Sequence, residues 1–310
     1  PDKNVDVTIN VNASNITYTV NHGETLVIAD SEIALELEDK ILGHNPKLRN
    51  SKTNTVDEII ESPFYKKDKI RNHYNSIILN FKDNFSIEFR AYDEGVAYRF
   101  STNYKGEITI KNEIAEFNFD KDYKSYIPYV SPRKQDYGTD IEKQFLTSFE
   151  APYTVDNLSN MYDERLSFLP ILVELDDNKK AVITESDLED YPGMFLIKSR
   201  DCNYSLEGVY ATAPKTEIQG GHNMLQLLIT ERQEYIAKTD GKRTFPWRII
   251  TISEEDYQLT DNDIVYKLAS PSRVEDISWI KPGKVAWEWW NAWNISGVPF
   301  ESGINNDTYK

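Results

Sequence analysis

Through about the first 250 residues the chain alternates apolar and polar side chains in short runs, and this period of two is what most restricts its fold. A half-buried β-strand has that period and a helix does not. The pattern opens at "VDVTINVN" and returns in "SIILNF", "FSIEFRAY" and "VAYRF". Phe85, Ile87 and Phe89 fall on one face of their strand, and Val96, Tyr98 and Phe100 on one face of the next. "YDEGV" between them reads as a hairpin turn with Gly95 in the left-handed position. "EYIAKTDGKRTFPWRIITI" reads as a second hairpin turning at Asp240 and Gly241. Many short strands joined by tight turns predict a mainly β chain built as a large sandwich.

Helix signals are few. Thr55 with Glu58, and Thr260 with Asp263, have capping-box spacing and predict two short helices. The sharpest break in pattern is "ASPSRVEDISWIKPGK", where Pro271 and the Pro282-Gly283 pair punctuate the chain. A large β domain over 1–275 and a separate segment over 276–310 are therefore expected.

The chain has 310 residues, with 51 Asp and Glu against 35 Lys and Arg, a net charge of -16. That balance repels phosphate backbones and anionic lipid, so nucleic acid is not an expected partner. No run reaches the roughly 18 apolar residues of a membrane helix. Pro1 is not a native start, which leaves room for a removed leader. The single cysteine, Cys202, cannot close an internal disulfide and is expected as a buried thiol. The four histidines, His22, His44, His73 and His222, are scattered and expected in structural or surface roles. Walker A, dinucleotide, nucleophile-elbow and zincin motifs are missing, so those chemistries fall away.

Two stretches carry chemistry. In "KVAWEWWNAWN", four of the six tryptophans fall within seven residues, followed by asparagine. An indole face stacks on the C–H face of a pyranose while an amide bonds its hydroxyls, so Trp289, Trp290 and Asn291 are the candidate sugar-binding residues. Ring packing between domains is the plainer alternative. In "ITESDLEDYPGMFL", Glu185, Asp187, Glu189 and Asp190 are hard oxygen donors suited to calcium, although their spacing is not that of an EF-hand. Glu185 directly follows the strand "AVIT", which would aim it from a rigid base. A solvated acidic loop is the plainer alternative for the rest.

"FRAYDEGVAYRF", "ITESDLEDYPGMFL" and "KPGKVAWEWWNAWNISGVPFESGINNDTYK" resemble, in this order, glycoside hydrolase family 97. The resemblance implies an N-terminal β-super-sandwich followed by a (β/α)₈ barrel, of which this chain would hold only the first strand and the start of its helix. It implies an exo-acting α-glycosidase releasing terminal glucose or galactose from oligosaccharides, periplasmic or otherwise secreted and calcium dependent, with Glu185 as a metal ligand. The two catalytic carboxylates would lie beyond Lys310, on later barrel strands, which makes this chain alone inactive. The competing expectation is a non-catalytic carbohydrate-binding sandwich.

Overall fold

The computed structural model describes residues 4–309 except 63, 131–139, 147–148, 222–223, 285–295 and 304. It divides into two compact units, Pro1–Ala269 and Ser270–Lys310. The expected boundary at Glu275 lies inside the second unit. Among its described residues is one short helix, α4 (Asn306–Tyr309). The expected first barrel strand, "KVAWEW" from Lys284, lies outside the described residues except for Lys284 itself.

The first unit begins with β1 (Val5–Val11), β2 (Ile16–His22), β3 (Thr25–Leu37) and the short β4 (Ile41–Leu42). Next come β5 (Leu48–Glu61), β6 (Lys69–Phe81), β7 (Phe85–Tyr92) and β8 (Gly95–Asn118). After β9 (Lys124–Ile127) and α1 (Ile141–Gln144) follow β10 (Thr154–Asn157), β11 (Ile171–Glu174), β12 (Lys180–Ser186), β13 (Met194–Lys198) and β14 (Ser205–Tyr210). β15 (Pro214–Gly220), β16 (Gln226–Arg232), β17 (Ala237–Thr244) and β18 (Trp247–Ser253) lead into α2 (Asp256–Asp261) and α3 (Ile264–Leu268). All pairings are antiparallel. The main path is β1-β2-β3-β8-β18-β12-β11-β9-β10, and β15 pairs only with β16.

β8, 24 residues long, joins the layers of the sandwich. Its first part bonds β7 on one edge and β18 then β17 on the other, and its last part bonds β3 and β14. The alternating residues meet as the period predicts. Ile87 lies opposite Phe100, and Phe89 opposite Tyr98. Tyr18 of β2 completes that aromatic group, its ring centroid 5.9 Å from Phe89 and 5.4 Å from Tyr98. Burial of each such ring is worth about 1.5–3 kcal/mol, so the core rests on this inner face.

β18 departs from alternation because both its faces are covered, and every one of its residues is buried. Ile249 and Trp247 pack outward against Ile264 and Leu268 of α3, while Ile250 and Ile252 join the main core. Arg90 and Arg99 lie over the Trp247 ring at 4.5 and 4.2 Å and share Glu88, which ties β7 and β8 to β18.

Three local expectations are corrected. Thr55–Glu58 is strand, not helix, because β5 pairs along its whole length with β6 and Arg71 holds Asp57 across the ladder at 2.7 Å. Thr260 lies inside α2, where its hydroxyl donates to the Tyr257 carbonyl, and the capping box that opens this helix is Glu255 with Gln258. Asp240 and Gly241 make no hairpin. β17 runs through them against β8 with a bulge, and a Cβ on Gly241 would meet the Gly106 carbonyl at 2.6 Å, so glycine is needed for close approach. The β7–β8 hairpin turns at Asp93 and Glu94, and Gly95 has φ 150°, within the positive range that side chains rarely adopt. Its Cβ would also lie 2.4 Å from the Ile250 carbonyl, so the pairing with β18 requires glycine here as well.

Candidate functional site

β12 and β18 pair in register, which sets Glu185 beside Arg248. Arg248 is the one charged residue of a fully buried strand, and a buried guanidinium demands carboxylates. Two supply them. Arg248 Nε and Nη2 donate to Glu113 Oε1 and Oε2 of β8 at 2.7 and 2.8 Å, a two-pronged pairing. Its Nη1 donates to Glu185 Oε2 at 2.6 Å. The Tyr191 hydroxyl donates to Glu113 Oε2 at 3.0 Å, and the Met194 amide lies 3.0 and 3.1 Å from the two oxygens of Glu185. Gly193 lets the loop come this near, since its Cβ would sit 3.3 Å from Glu185 Oε1.

One guanidinium between two carboxylates leaves a formal charge of -1 in a nearly dry place. Burial pushes the Glu185 carboxyl above its usual range, outweighing the opposing pull of Arg248 and the Met194 amide, while Glu113 adds to the rise. Burial acts against the charge on Arg248, yet Glu113 more than restores it and the guanidinium stays protonated. The two carboxylates differ in access: the Glu113 side chain is 3% exposed and that of Glu185 11%. Glu185 is thus the more accessible of the two carboxylates, held at the rim of the core by Arg248 and the Met194 amide while burial disfavours its charge.

The cluster is not a glycoside-cleaving pair, because Glu113 is closed off and both acids serve the same cation. Nor does it form a calcium shell by itself. Ca²⁺ takes six to eight oxygens, and among the described residues no group of three or more His, Cys, Asp or Glu is placed to hold a metal. Any ion at Glu185 would also compete with Arg248.

The other sequence candidates fall elsewhere. Trp289, Trp290 and Asn291 lie outside the described residues. Asp187 is half-buried, at φ 66°, and its carbonyl accepts the Glu189 amide; Glu189 and Asp190 are exposed. Arg243 pins this loop by donating to the Glu189 carbonyl at 2.7 Å and the Asp190 carbonyl at 3.3 Å. His44 pairs with Glu32 at 2.9 Å. Cys202 is exposed, not buried as expected, since it sits in the turn before β14. Sequence reasoning missed Glu113, Arg248 and Tyr191. An arginine inside "WRIITI" was the available signal, because a charge in a mostly apolar strand implies a buried partner.

A family model described as Glycosyl-hydrolase 97 N-terminal matches residues 1–271. A curated protein of Bacteroides thetaiotaomicron, "Retaining alpha-galactosidase", is 44% identical over 100% of this chain and 46% of its own length. A "Probable retaining alpha-galactosidase" of Streptomyces bingchenggensis is 23% identical over 88% of the chain and 37% of its own length. The chain spans less than half the length of these relatives. Among solved structures, a glycoside hydrolase family 97 enzyme of Pseudoalteromonas sp. strain K8 in complex with acarbose aligns at TM-score 0.71 and 20% identity, covering 91% of the chain and 39% of that protein. A β-arabinopyranosidase aligns at TM-score 0.65 and 16% identity, covering 82% and 39%. These structures are alike in fold.

Proposed function

Because this chain belongs to the glycosyl-hydrolase 97 family, whose N-terminal region it matches, we propose that it is the N-terminal part of a retaining, exo-acting α-galactosidase. The observation that carries the proposal is the 44% identity along the whole chain to a protein of that name. The substrate is an oligosaccharide ending in α-linked galactose, and the sandwich forms one wall of the site. The described residues contain no helix long and apolar enough to cross a membrane. We place the enzyme in the periplasm or outside the cell, where such oligosaccharides are met.

Trp289, Trp290 and Asn291 are the proposed sugar contacts of this chain. The full-length protein is expected to hydrolyse p-nitrophenyl α-galactoside faster than the α-glucoside and to release galactose first as the α-anomer, read by proton NMR. Early β-anomer, or a preference for glucoside, would overturn the assignment. Trp289→Ala and Asn291→Ala should each lower kcat/KM by roughly 1–3 kcal/mol, the size of a lost stacking or hydroxyl contact. Unchanged kinetics would assign the tryptophans to packing.

Calcium is proposed for the full-length protein only, with Glu185 as one ligand and the rest of the shell from residues outside this chain. The 310-residue chain should show no calcium heat in titration calorimetry at micromolar concentrations. In the full-length protein, Glu185→Gln should raise the calcium concentration needed for half-saturation about tenfold or more, as expected for loss of one charged ligand. Asp187→Asn should change it far less. The reverse order of effects, or tight binding by the chain alone, would remove Glu185 from the shell.

A further inference from the structure

At the far end of β18 from Arg248, five residues and roughly 17 Å along the strand, lies a cavity unrelated to the acidic cluster. It has a volume of about 460 Å³, within the range of small-molecule sites. His22 at the end of β2 and Ser253 at the end of β18 line it, with residue exposures of only 8% and 3%. Both carry a buried polar atom without a hydrogen-bond partner in the protein, His22 Nδ1 and Ser253 Oγ. Neither atom has accessible surface of its own, so the wall would have to relax slightly for a ligand to reach it. The carboxylate nearest to His22 Nδ1 is Glu254, at 3.7 Å, beyond hydrogen-bond reach.

The wall chemistry selects the ligand. Five carboxylates line the cavity against two lysines, and the lysines are spent: Lys67 on Asp261 at 2.8 Å and Asp263 at 2.6 Å, Lys267 on Glu94. Phosphates and carboxylates are repelled. Of the other lining groups, Gln258 Oε1 accepts the Glu254 and Glu255 amides and Asn262 Oδ1 the Ile264 amide, which leaves their amide nitrogens, the imidazole of His22 and the carboxylate of Glu254 along the wall. Tyr257, 68% exposed, stands at the rim. A flat ring beside planar amides and carboxylates suits a ring that carries adjacent hydroxyls on an apolar C–H face.

We propose that this cavity binds a neutral pyranose, a second saccharide site separate from the Trp289–Asn291 stretch. The ligand class follows from the cavity walls, so it stands or falls apart from the catalytic assignment. The test is an NMR titration of the 310-residue chain with methyl α-galactopyranoside and methyl α-glucopyranoside to about 50 mM, an upper range for weak sites. The imidazole resonances of His22 should shift saturably while those of His44 and His73 stay in place. Tyr257→Ala, at an exposed position that leaves the core intact, should weaken the effect about tenfold, the size of a lost ring contact, and Glu254→Gln should weaken it too. The melting temperature should not move. Still His22 signals, a response unaffected by Tyr257→Ala, or a response to calcium chloride and not to sugar would overturn the proposal. The titration reads no turnover, so an inactive full-length protein would leave its result intact.

Discussion

Arg248→Ala lowers the unfolding free energy of the chain by about 3–5 kcal/mol, the largest loss expected of any single substitution in the cluster. Arg248 is fully buried and makes three charge-assisted hydrogen bonds, two to Glu113 and one to Glu185. Its guanidinium also lies 5.1 Å from the Tyr210 ring centroid. Without it, two carboxylates would share a dry space, with the Tyr191 hydroxyl and the Met194 amide among the few donors left. Urea unfolding followed by tryptophan fluorescence measures the change, and a loss under about 1 kcal/mol would contradict the buried-charge argument. The neutral pair Glu113→Gln with Arg248→Met should recover much of it, because cost arises from an uncompensated charge and not from the loss of an ion pair as such. Glu185→Gln alone should cost little, since burial already favours its uncharged form.

The strands were legible wherever one face meets water and the other the core. β7 and the start of β8 are the clearest case, for Phe85, Ile87, Phe89, Val96, Tyr98 and Phe100 are all buried. Legibility failed where long-range pairing overrode local signals. Thr55 and Glu58 satisfy a helix rule, but the ladder between β5 and β6 supplies backbone partners along thirteen residue pairs. Asp240-Gly241 is a turn signal in isolation, yet the approach of Tyr104 and Gly106 explains that glycine better. Glu185 was found because it follows an apolar strand. Its partners were not, because Glu113 lies 135 residues before Arg248 and no local pattern links them. The cavity at His22 was equally hidden, its walls coming from β2, the β7–β8 turn, the end of β18 and α2.

The second large effect concerns catalysis. Glycoside cleavage needs two carboxyl groups on opposite sides of the scissile bond, about 5–5.5 Å apart for retention. Among the described residues of the first unit, the acid pair Glu113 and Glu185 is joined through a single guanidinium, and the Glu113 side chain is only 3% exposed. The relative that supports the assignment is more than twice as long as this chain, since the match covers 46% of it. We propose that the catalytic carboxylates lie in the part of the relatives' length that this chain does not span. Loss of both would remove nearly the whole acceleration, so the 310-residue chain should fall at least about 10⁶-fold below the full-length enzyme, to the uncatalysed background. The initial rate of p-nitrophenyl α-galactoside hydrolysis, taken side by side at equal molar concentration, tests this most directly. Rapid release by the full-length protein with none above background from the chain is the predicted result; turnover by the chain at a comparable rate, or none by the full-length protein, would contradict the account.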